Sequence, residues 1–274
     1  MNCERELICL VSHPRSGSTV FMRGAQDRFD LNAFYEVFHS HENIVQEHIT
    51  QALGSAGLQK IVETVASDAQ AGFREFSLTF PDQYLTLLHR NSNAAHMFFK
   101  IFPGHIKNLE SLKSTLMRAD KVIFLLRNTL HSYISDRIAR KVGTYANVKT
   151  SHLKVEYVER DFVSWHNQIV NYFSCVKEIL AKIEKDSLFL HYEDMYLSGD
   201  TEAYYRDFAS FCKLNFVESK EAEPALRKQD HRFSAIEKVS NPDEMIESLS
   251  TLDVEYMLDG RERVSELEVL RRSV

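Results

Sequence analysis

The chain has 274 residues, of which 44% are hydrophobic and 26% are charged, and its formal net charge is −6. This length and composition predict a soluble globular protein with room for one large α/β domain or two small ones. The negative balance provides no general attraction for nucleic acid or for an anionic membrane, so any anion site has to be built locally. No apolar run approaches the roughly 18 residues of a membrane span.

Cysteine usage and the N-terminus bear on the compartment. The four cysteines, Cys3, Cys9, Cys175 and Cys212, are scattered and lack the spacing of metal ligands. We interpret them as free thiols in a reducing compartment. An apolar strand and its polar loop follow directly after the first six residues, so a cleavable signal would remove that loop. We therefore expect a cytoplasmic protein without a metal.

The stretch from residue 7 to residue 28 predicts an anion site. Leu7–Val11 is short, apolar and rich in branched residues, which indicates a buried parallel strand. A polar loop follows, and a helix is predicted from about Ser18. Strand, small-residue loop and helix aim backbone N–H groups and the positive helix end at an anion. Gly17 permits close backbone approach, Arg15 brings a fixed cation, and hydroxyl donors are available from Ser16, Ser18 and Thr19.

This loop does not have the pattern of a nucleoside-triphosphatase loop. That motif reads Gly-x-x-x-x-Gly-Lys-[Ser/Thr]. Here Ser12 stands where the first glycine belongs, and Ser18 stands where the lysine belongs. Arg15, two residues before Gly17, supplies the positive charge instead.

The remaining elements alternate between strands and helices. We predict a strand or extended loop at 32–38, several helices in 42–90, strands at 97–102, 121–127 and 187–192, and helices at 129–141, 158–184 and 202–212. This alternation predicts an α/β fold, a three-layer sandwich with a central parallel sheet and right-handed crossovers. Because no repeat, low-complexity tract or linker interrupts the chain, we expect one domain over 1–274. The helical insertion at about 42–96 is expected to lie near the pocket for the substrate that accepts the transferred group, the acceptor pocket, if the protein is an α/β enzyme.

A second phosphate motif follows the strand at 121–127. Arg127 leaves the strand end, and Ser135 lies eight residues further on, in the predicted helix. Arg127 can grip a phosphate with two parallel hydrogen bonds, and Ser135 can add a hydroxyl. Ser132, one turn earlier on the same helix face, is a possible substitute.

These motifs together resemble the sulfotransferases that use 3′-phosphoadenosine 5′-phosphosulfate (PAPS). Pro14–Thr19 resembles the 5′-phosphosulfate loop of that family, and Arg127 with Ser135 resembles its 3′-phosphate motif. Leu190–Met195 matches the family's strand-to-helix segment, whose role is largely architectural. The basic stretch from Arg227 to Arg232 falls where relatives close a loop over the nucleotide, which makes Arg232 a candidate ligand.

The resemblance implies a P-loop NTPase-like sulfotransferase fold, PAPS as the donor, its desulfated product PAP, and no metal. The form of the loop, with arginine, is similar to that of bacterial enzymes that act on carbohydrates and glycolipids. The implied acceptor is a hydroxyl group of a carbohydrate, a glycolipid or a small molecule, and neither nucleic acid nor a membrane span is expected. A tryptophan that stacks on adenine often follows the loop in the family, but Val20 stands here, which leaves Phe21 and Trp165 as candidates.

Transfer of a sulfuryl group needs a base for the acceptor hydroxyl and cations for the charge on the sulfonate. Arg15 and Lys100 are the predicted cations. Two residues compete as the base. Glu36 stands where some bacterial sulfotransferases carry a glutamate that acts as the general base. The segment from Lys100 to His105 loosely resembles the Lys-x-His segment of cytosolic enzymes. We favour Glu36.

Two other classes of function stay open at the level of the sequence. One is a kinase-like phosphotransferase acting on a nucleotide or a small molecule, which the absent Walker lysine and the lack of an acidic strand end for magnesium disfavour. The other is a non-catalytic nucleotide-binding protein that keeps the fold and has lost the base.

Overall fold

A computed structural model of the chain describes residues 6–69, 72–143, 150–197, 201–215 and 234–259. The predicted basic loop, with Arg232, lies outside these residues. Among the described cysteines, Cys9, Cys175 and Cys212 are free thiols, as predicted.

A five-stranded parallel sheet forms the centre of the protein. Its strands are β1 (Glu6–Val11), β2 (Leu31–Tyr35), β3 (His96–Ile101), β4 (Lys121–Leu126) and β5 (Ser187–His191). Their order in the sheet is β2-β3-β1-β4-β5, and all pairs are parallel. The predicted α/β class and parallel sheet are therefore confirmed.

Helices connect the strands. They are α1 (Ser18–Arg28), α2 (Glu42–Ala69), α3 (Phe73–Thr79), α4 (Pro81–Asn91), α5 (Leu109–Arg118), α6 (Thr129–Val142), α7 (Glu159–Lys182), α8 (Tyr192–Leu197), α9 (Thr201–Cys212) and α10 (Pro242–Thr251). Short 3₁₀ turns lie at Ile236–Lys238 and Glu255–Leu258. The predicted insertion is helical through α2, α3 and α4, and α2 is kinked where Gly54 leaves the helical conformation.

Alternating residues of the strands pack on the two faces of the sheet, which gives the three predicted layers. In β1, Leu7 and Cys9 face one apolar cluster that includes Phe173 of α7. Ile8 belongs to a second cluster on the opposite face, with Phe208 of α9. Every residue of β1 after Glu6 is fully buried, and this explains the continuous apolar run in its sequence.

A third apolar cluster covers the outer side of α6. Residues 234–259, which we call the C-terminal segment, supply six of the thirteen described buried residues of this cluster, including Val239, Met245 and Met257. Leu130 and Tyr133 of α6 are among the residues they cover. The segment is also joined to the body by a parallel bridge between Val155 and Val239.

The carboxyl ends of the five parallel strands meet at one edge of the sheet. The polar residues singled out in the sequence lie at or just after these ends: Ser12 after β1, Glu36 after β2, Lys100 within the last two residues of β3, and Arg127 after β4. Strand β2 ends in an irregularity of register between Ala33 and Tyr35, and Tyr35 has a φ of 49°. This bend directs the chain into the turn that carries Glu36.

Candidate active site

The loop between β1 and α1 has a left-handed backbone conformation at Gly17, which favours glycine. Gly17 precedes the first turn of α1 with a φ of 85°, and no side chain caps the helix there. A Cβ atom at this position would lie 2.5 Å from Cδ2 of Tyr192, so the aromatic ring also requires glycine. Arg15 adopts the same left-handed region, with a φ of 66°. The first N–H groups of α1 have no partner within the helix and are oriented to receive an anion.

Side chains within the loop tie it to the sheet. The hydroxyl of Ser12 donates to the carbonyl of Leu125 in β4 at 3.2 Å and lies 2.6 Å from the hydroxyl of Ser16. Both serines are fully buried. The hydroxyl of Ser16 is thus used inside the protein, whereas those of Ser18 and Thr19 lie toward Lys100.

Lys100 supplies the ammonium group that the loop itself lacks. Its side chain is only 2% exposed. The Nζ atom lies 2.8 Å from the hydroxyl of Thr19 and 3.4 Å from that of Ser18, which occupies the position of the missing lysine. Burial lowers the pKa of Lys100 from its ordinary value, and the Glu36 carboxylate opposes that shift. A surface role for this lysine is excluded by its burial.

Glu36 lies at the centre of a group of proton donors. Its Oε1 is 3.1 Å from Lys100 Nζ, and its Oε2 is 3.6 Å from His105 Nε2 and 4.0 Å from His39 Nε2. The turn that carries Glu36 is closed by a hydrogen bond from the N–H of His39 to the Glu36 carbonyl at 3.0 Å. Val37 and Phe38, the two residues between them, are buried in the core and fix the turn.

The two histidines next to Glu36 are held as donors rather than as bases. The N–H of Phe102 donates to Nδ1 of His105 at 3.3 Å, and the N–H of His41 donates to Nδ1 of His39 at 3.0 Å. In each neutral ring the proton therefore resides on Nε2, the atom nearest Glu36. Burial also lowers the pKa of His39. The carboxylate is the proton acceptor of this group.

The electrostatics of Glu36 follow from these contacts. Burial by itself raises the pKa of the carboxyl group, but the contact with His105 Nε2 at 3.6 Å and the charge of Lys100 outweigh it. The pKa of Glu36 is held well below its ordinary value. Glu36 is therefore an anion at neutral pH, and it stays a weak base while Lys100 remains bound to it.

The second phosphate motif lies beside the loop. Arg127 stacks over the ring of Tyr192, with its Cζ 4.0 Å from the ring centre, and Nη1 donates to the carbonyl of Arg15. Its Nε is buried and has no hydrogen-bond partner among the described residues. Nε of Arg15 donates to the hydroxyl of Ser135 at 3.1 Å. Two arginines and a serine hydroxyl thus converge next to the amino end of α1.

Ser132, the alternative to Ser135, has a different environment. It is fully buried, it donates to the carbonyl of Thr129 at 2.9 Å, and it accepts from the indole N–H of Trp165 at 3.1 Å. Trp165 therefore packs against α6, and we do not assign it to stacking on adenine. Phe21, the other candidate for stacking on adenine, is fully buried and stacks on Tyr205 in the core.

Several residues of the site were missed from the sequence. Tyr192 packs between Gly17 and Arg127, and His39 reaches Glu36. A possible signal for His39 was its position three residues after Glu36 with two core residues between them. Asn128 accepts from the first amides of α6, and its own N–H donates to the buried Glu193 at 3.0 Å. The Glu193 contact agrees with the architectural role predicted for Leu190–Met195.

The described part of the chain has neither a metal-binding cluster nor a membrane-spanning helix. Within those residues, no group of three or more histidine, cysteine, aspartate or glutamate side chains is arranged to hold a metal ion. None of the helices that the structure describes is long and apolar enough to cross a membrane.

The fold and site define a class of protein. A parallel three-layer α/β fold with an anion loop after its first strand and arginines at the neighbouring strand end is suited to the transfer of phosphate-like groups. A scan against protein-family models matches residues 8–218 to the sulfotransferase family. The chain belongs to this family and is a sulfotransferase. A search of the curated proteins gave no match.

The family match covers most of the site. It includes the loop, Glu36, Lys100, His105, Arg127 and Ser135, and it ends before Arg232. Membership implies the transfer of sulfate to a small-molecule or glycan acceptor, and members of the family generally use PAPS as the donor.

Proposed function

We propose that the protein transfers a sulfuryl group from PAPS to a hydroxyl group of a carbohydrate, a glycolipid or a small molecule, with PAP as the product. The transfer is an in-line displacement, in which positioning and electrostatics provide most of the rate acceleration. No metal is invoked, because arginine and lysine side chains supply the positive charge at the site.

The donor is proposed to span the two anion sites. The 5′-phosphosulfate lies on the loop, where the amides that begin α1 and the hydroxyls of Ser18 and Thr19 face it. The 3′-phosphate binds Arg127 and Ser135. This assignment is supported by the hydrogen bond of 3.1 Å from Arg15 to Ser135, which joins the two sites, and by the Nε of Arg127, which has no partner among the described residues. A buried donor without a partner is costly unless a ligand satisfies it.

Lys100 provides the single observation that carries the proposed chemistry. Its ammonium group lies 2.8 Å from Thr19 in the donor loop and 3.1 Å from Glu36, so one cation connects the donor site with the base. When the sulfonate enters the loop, Lys100 turns to it and leaves Glu36. The pKa of Glu36 then rises toward its ordinary value, and the carboxylate becomes a stronger base.

The reaction is then written with Glu36 as the base. Glu36 removes the proton of the acceptor hydroxyl, the oxygen forms a bond to sulfur, and the bond between sulfur and the 5′-phosphate oxygen breaks. Lys100 and Arg15 neutralise the charge on the sulfonate and the leaving oxygen. His105 is assigned to hold Glu36, because both of its ring nitrogens are already engaged, with Phe102 and with Glu36.

Calorimetry of nucleotide binding tests the donor. We expect PAP, which is 3′,5′-ADP, to bind more tightly than 5′-AMP or ATP. The variant Arg127→Ala should abolish this preference for 3′,5′-ADP. Equal binding of ATP and 3′,5′-ADP, with turnover that depends on magnesium, would instead favour a kinase-like phosphotransferase. Tight binding of 3′,5′-ADP without transfer to any acceptor would favour a non-catalytic protein.

A screen of hydroxyl acceptors with labelled PAPS tests the base. We expect Glu36→Gln to lower the transfer rate by about 10²–10⁴, the usual contribution of general base catalysis. His105→Gln retains a neutral donor toward Glu36, so it should lose much less. The assignment of the base would be wrong if His105→Gln were as inactive as Glu36→Gln.

A further inference from the structure

Asn128 forms hydrogen bonds through both its backbone and its side chain. It is fully buried, and its backbone N–H donates to Glu193 Oε1 at 3.0 Å. Its Oδ1 accepts from the N–H of Leu130 at 3.1 Å and of His131 at 3.3 Å, while Nδ2 donates to the carbonyl of Met257 at 3.0 Å. Only this orientation of the amide satisfies all four contacts. The residue links the end of β4 to α6, α8 and the C-terminal segment.

The contact with Met257 is not isolated. Nε2 of His131, in the first turn of α6, lies 3.3 Å from the carbonyl of Leu258, the next residue of the C-terminal segment. The apolar side of the same segment packs on α6, as described above. Residues 234–259 lie beyond residues 8–218, to which the family model matches. The amino end of α6 is therefore held by a part of the chain outside the matched region.

Arg127 precedes Asn128 directly and depends on where the amino end of α6 lies. Tyr192 supports one side of its guanidinium group, and the carbonyl of Arg15 fixes Nη1. The direction of its remaining donors is set by the backbone at the strand end, which Asn128 fixes. We infer that Asn128 is a positioning residue for the 3′-phosphate, and that it couples the C-terminal segment to the donor site. This inference rests on the proposed use of PAPS.

The variant Asn128→Ser tests the coupling. Serine keeps an oxygen that caps α6 but removes the donor to Met257. Asn241→Ser is the matched control, since Asn241 anchors the same segment elsewhere, through hydrogen bonds of 2.8 and 2.9 Å with the backbone of Tyr157. The quantity to measure by calorimetry is the ratio of the dissociation constants of 5′-AMP and 3′,5′-ADP. We expect Asn128→Ser to lower it about tenfold and Asn241→Ser to leave it unchanged, with 5′-AMP binding equal in all three proteins.

An equal loss of affinity for both nucleotides, or a loss of stability alone, would indicate a purely structural role for Asn128. A loss of affinity confined to 3′,5′-ADP would indicate that Asn128 positions the 3′-phosphate site. Equal ratios in the two variants would overturn the inference while leaving the proposed function intact. A wild-type protein with no preference for 3′,5′-ADP would overturn both.

Hydrogen exchange of the wild-type protein gives a second test that requires no variant. Because coupling between two sites is reciprocal, 3′,5′-ADP should slow the exchange of amides in the C-terminal segment, and 5′-AMP should not. We expect protection of Ala235 and Val254, whose amides donate to carbonyls within the segment. Exchange in the segment that is unaffected by 3′,5′-ADP, under conditions in which it binds, would overturn the inference.

Discussion

Lys100 Nζ lies 3.1 Å from Glu36 Oε1, and both groups are largely removed from water, with exposed side-chain fractions of 2% and 21%. The pair joins β3 to the turn after β2 at the edge of the sheet where the donor loop begins. An anion that enters the loop therefore competes with Glu36 for the same ammonium group.

This competition predicts that Glu36→Gln strengthens binding of PAPS. The variant frees Lys100 and removes a negative charge near the sulfonate, so we expect PAPS to bind about tenfold more tightly, the equivalent of one charged hydrogen bond. PAP has no sulfonate and presents only its 5′-phosphate to the loop, so its affinity should rise by a smaller factor. Calorimetry with both nucleotides measures the effect, and His105→Gln serves as a control that leaves the pair with Lys100 intact. An equal change for PAPS and PAP would contradict the prediction.

Substitutions of the two serines of α6 should have different effects, one on nucleotide binding and the other on the stability of the fold. Ser135 accepts from Arg15 at the donor site, so Ser135→Ala should weaken 3′,5′-ADP by about 1 kcal/mol, or about fivefold. Ser132→Ala should instead lower the free energy of unfolding by about 1–2 kcal/mol, since it leaves the indole N–H of Trp165 without its acceptor. Calorimetry and urea denaturation of both variants distinguish the roles. If Ser132→Ala weakened the nucleotide and Ser135→Ala did not, the assignment of the motif would be reversed.

Gly17→Ala should lower the stability of the protein by more than the positive φ of this glycine alone would explain. Gly143, at the end of α6, also has a positive φ of 73°, but no atom of the described residues lies within 4 Å of a Cβ added there. Gly143→Ala should therefore cost about 1 kcal/mol of stability, from backbone strain. Gly17→Ala adds the contact with Tyr192, which cannot move away because Arg127 covers its ring, so we expect about 2–4 kcal/mol. Thermal unfolding measures both, and equal losses would show that Tyr192 yields without cost.

Much of the fold and the neighbourhood of the site could be predicted from local patterns. The apolar runs of β1 and β4 are long enough to be identified, and parallel strands necessarily bring their carboxyl ends together. The proximity of Gly17, Lys100 and Arg127 follows from those two facts. The segment at 32–38 was harder to assign, because Tyr35 breaks the strand with a left-handed conformation.

Other contacts depend on packing between distant parts of the chain. The hydrogen bond from Asn128 to Met257 spans 129 residues, and no local pattern predicts it. The burial of Lys100 likewise depends on α1 and on the turn of Glu36, which come from other parts of the sequence. Hydrophobic periodicity reports which face of an element is buried, but it does not identify the polar partner that a buried side chain meets.

His13, at the start of the donor loop, provides a last prediction about pH. Its ring is fully buried against the edge of Phe173, and its Nδ1 lies 3.0 Å from the carbonyl of Pro14. Burial lowers the pKa of His13 to about 4, despite the opposing contribution of that hydrogen bond. In the unfolded chain the pKa returns to about 6.5. Between these pH values His13 is protonated in the unfolded state and neutral in the folded state. The free energy of unfolding therefore falls as the pH decreases.

The variant His13→Asn isolates this effect, because asparagine places a neutral donor near the position of Nδ1 and does not titrate. From about pH 7.5 to about pH 5, the wild-type protein should lose about 2 kcal/mol more stability than the variant does. The other histidines whose pKa is lowered by partial burial, including His48 and His166, are common to both proteins and cancel in the comparison. Urea denaturation at the two pH values measures the difference. Identical losses in the two proteins would mean that His13 gains its proton in the folded state as readily as in the unfolded chain.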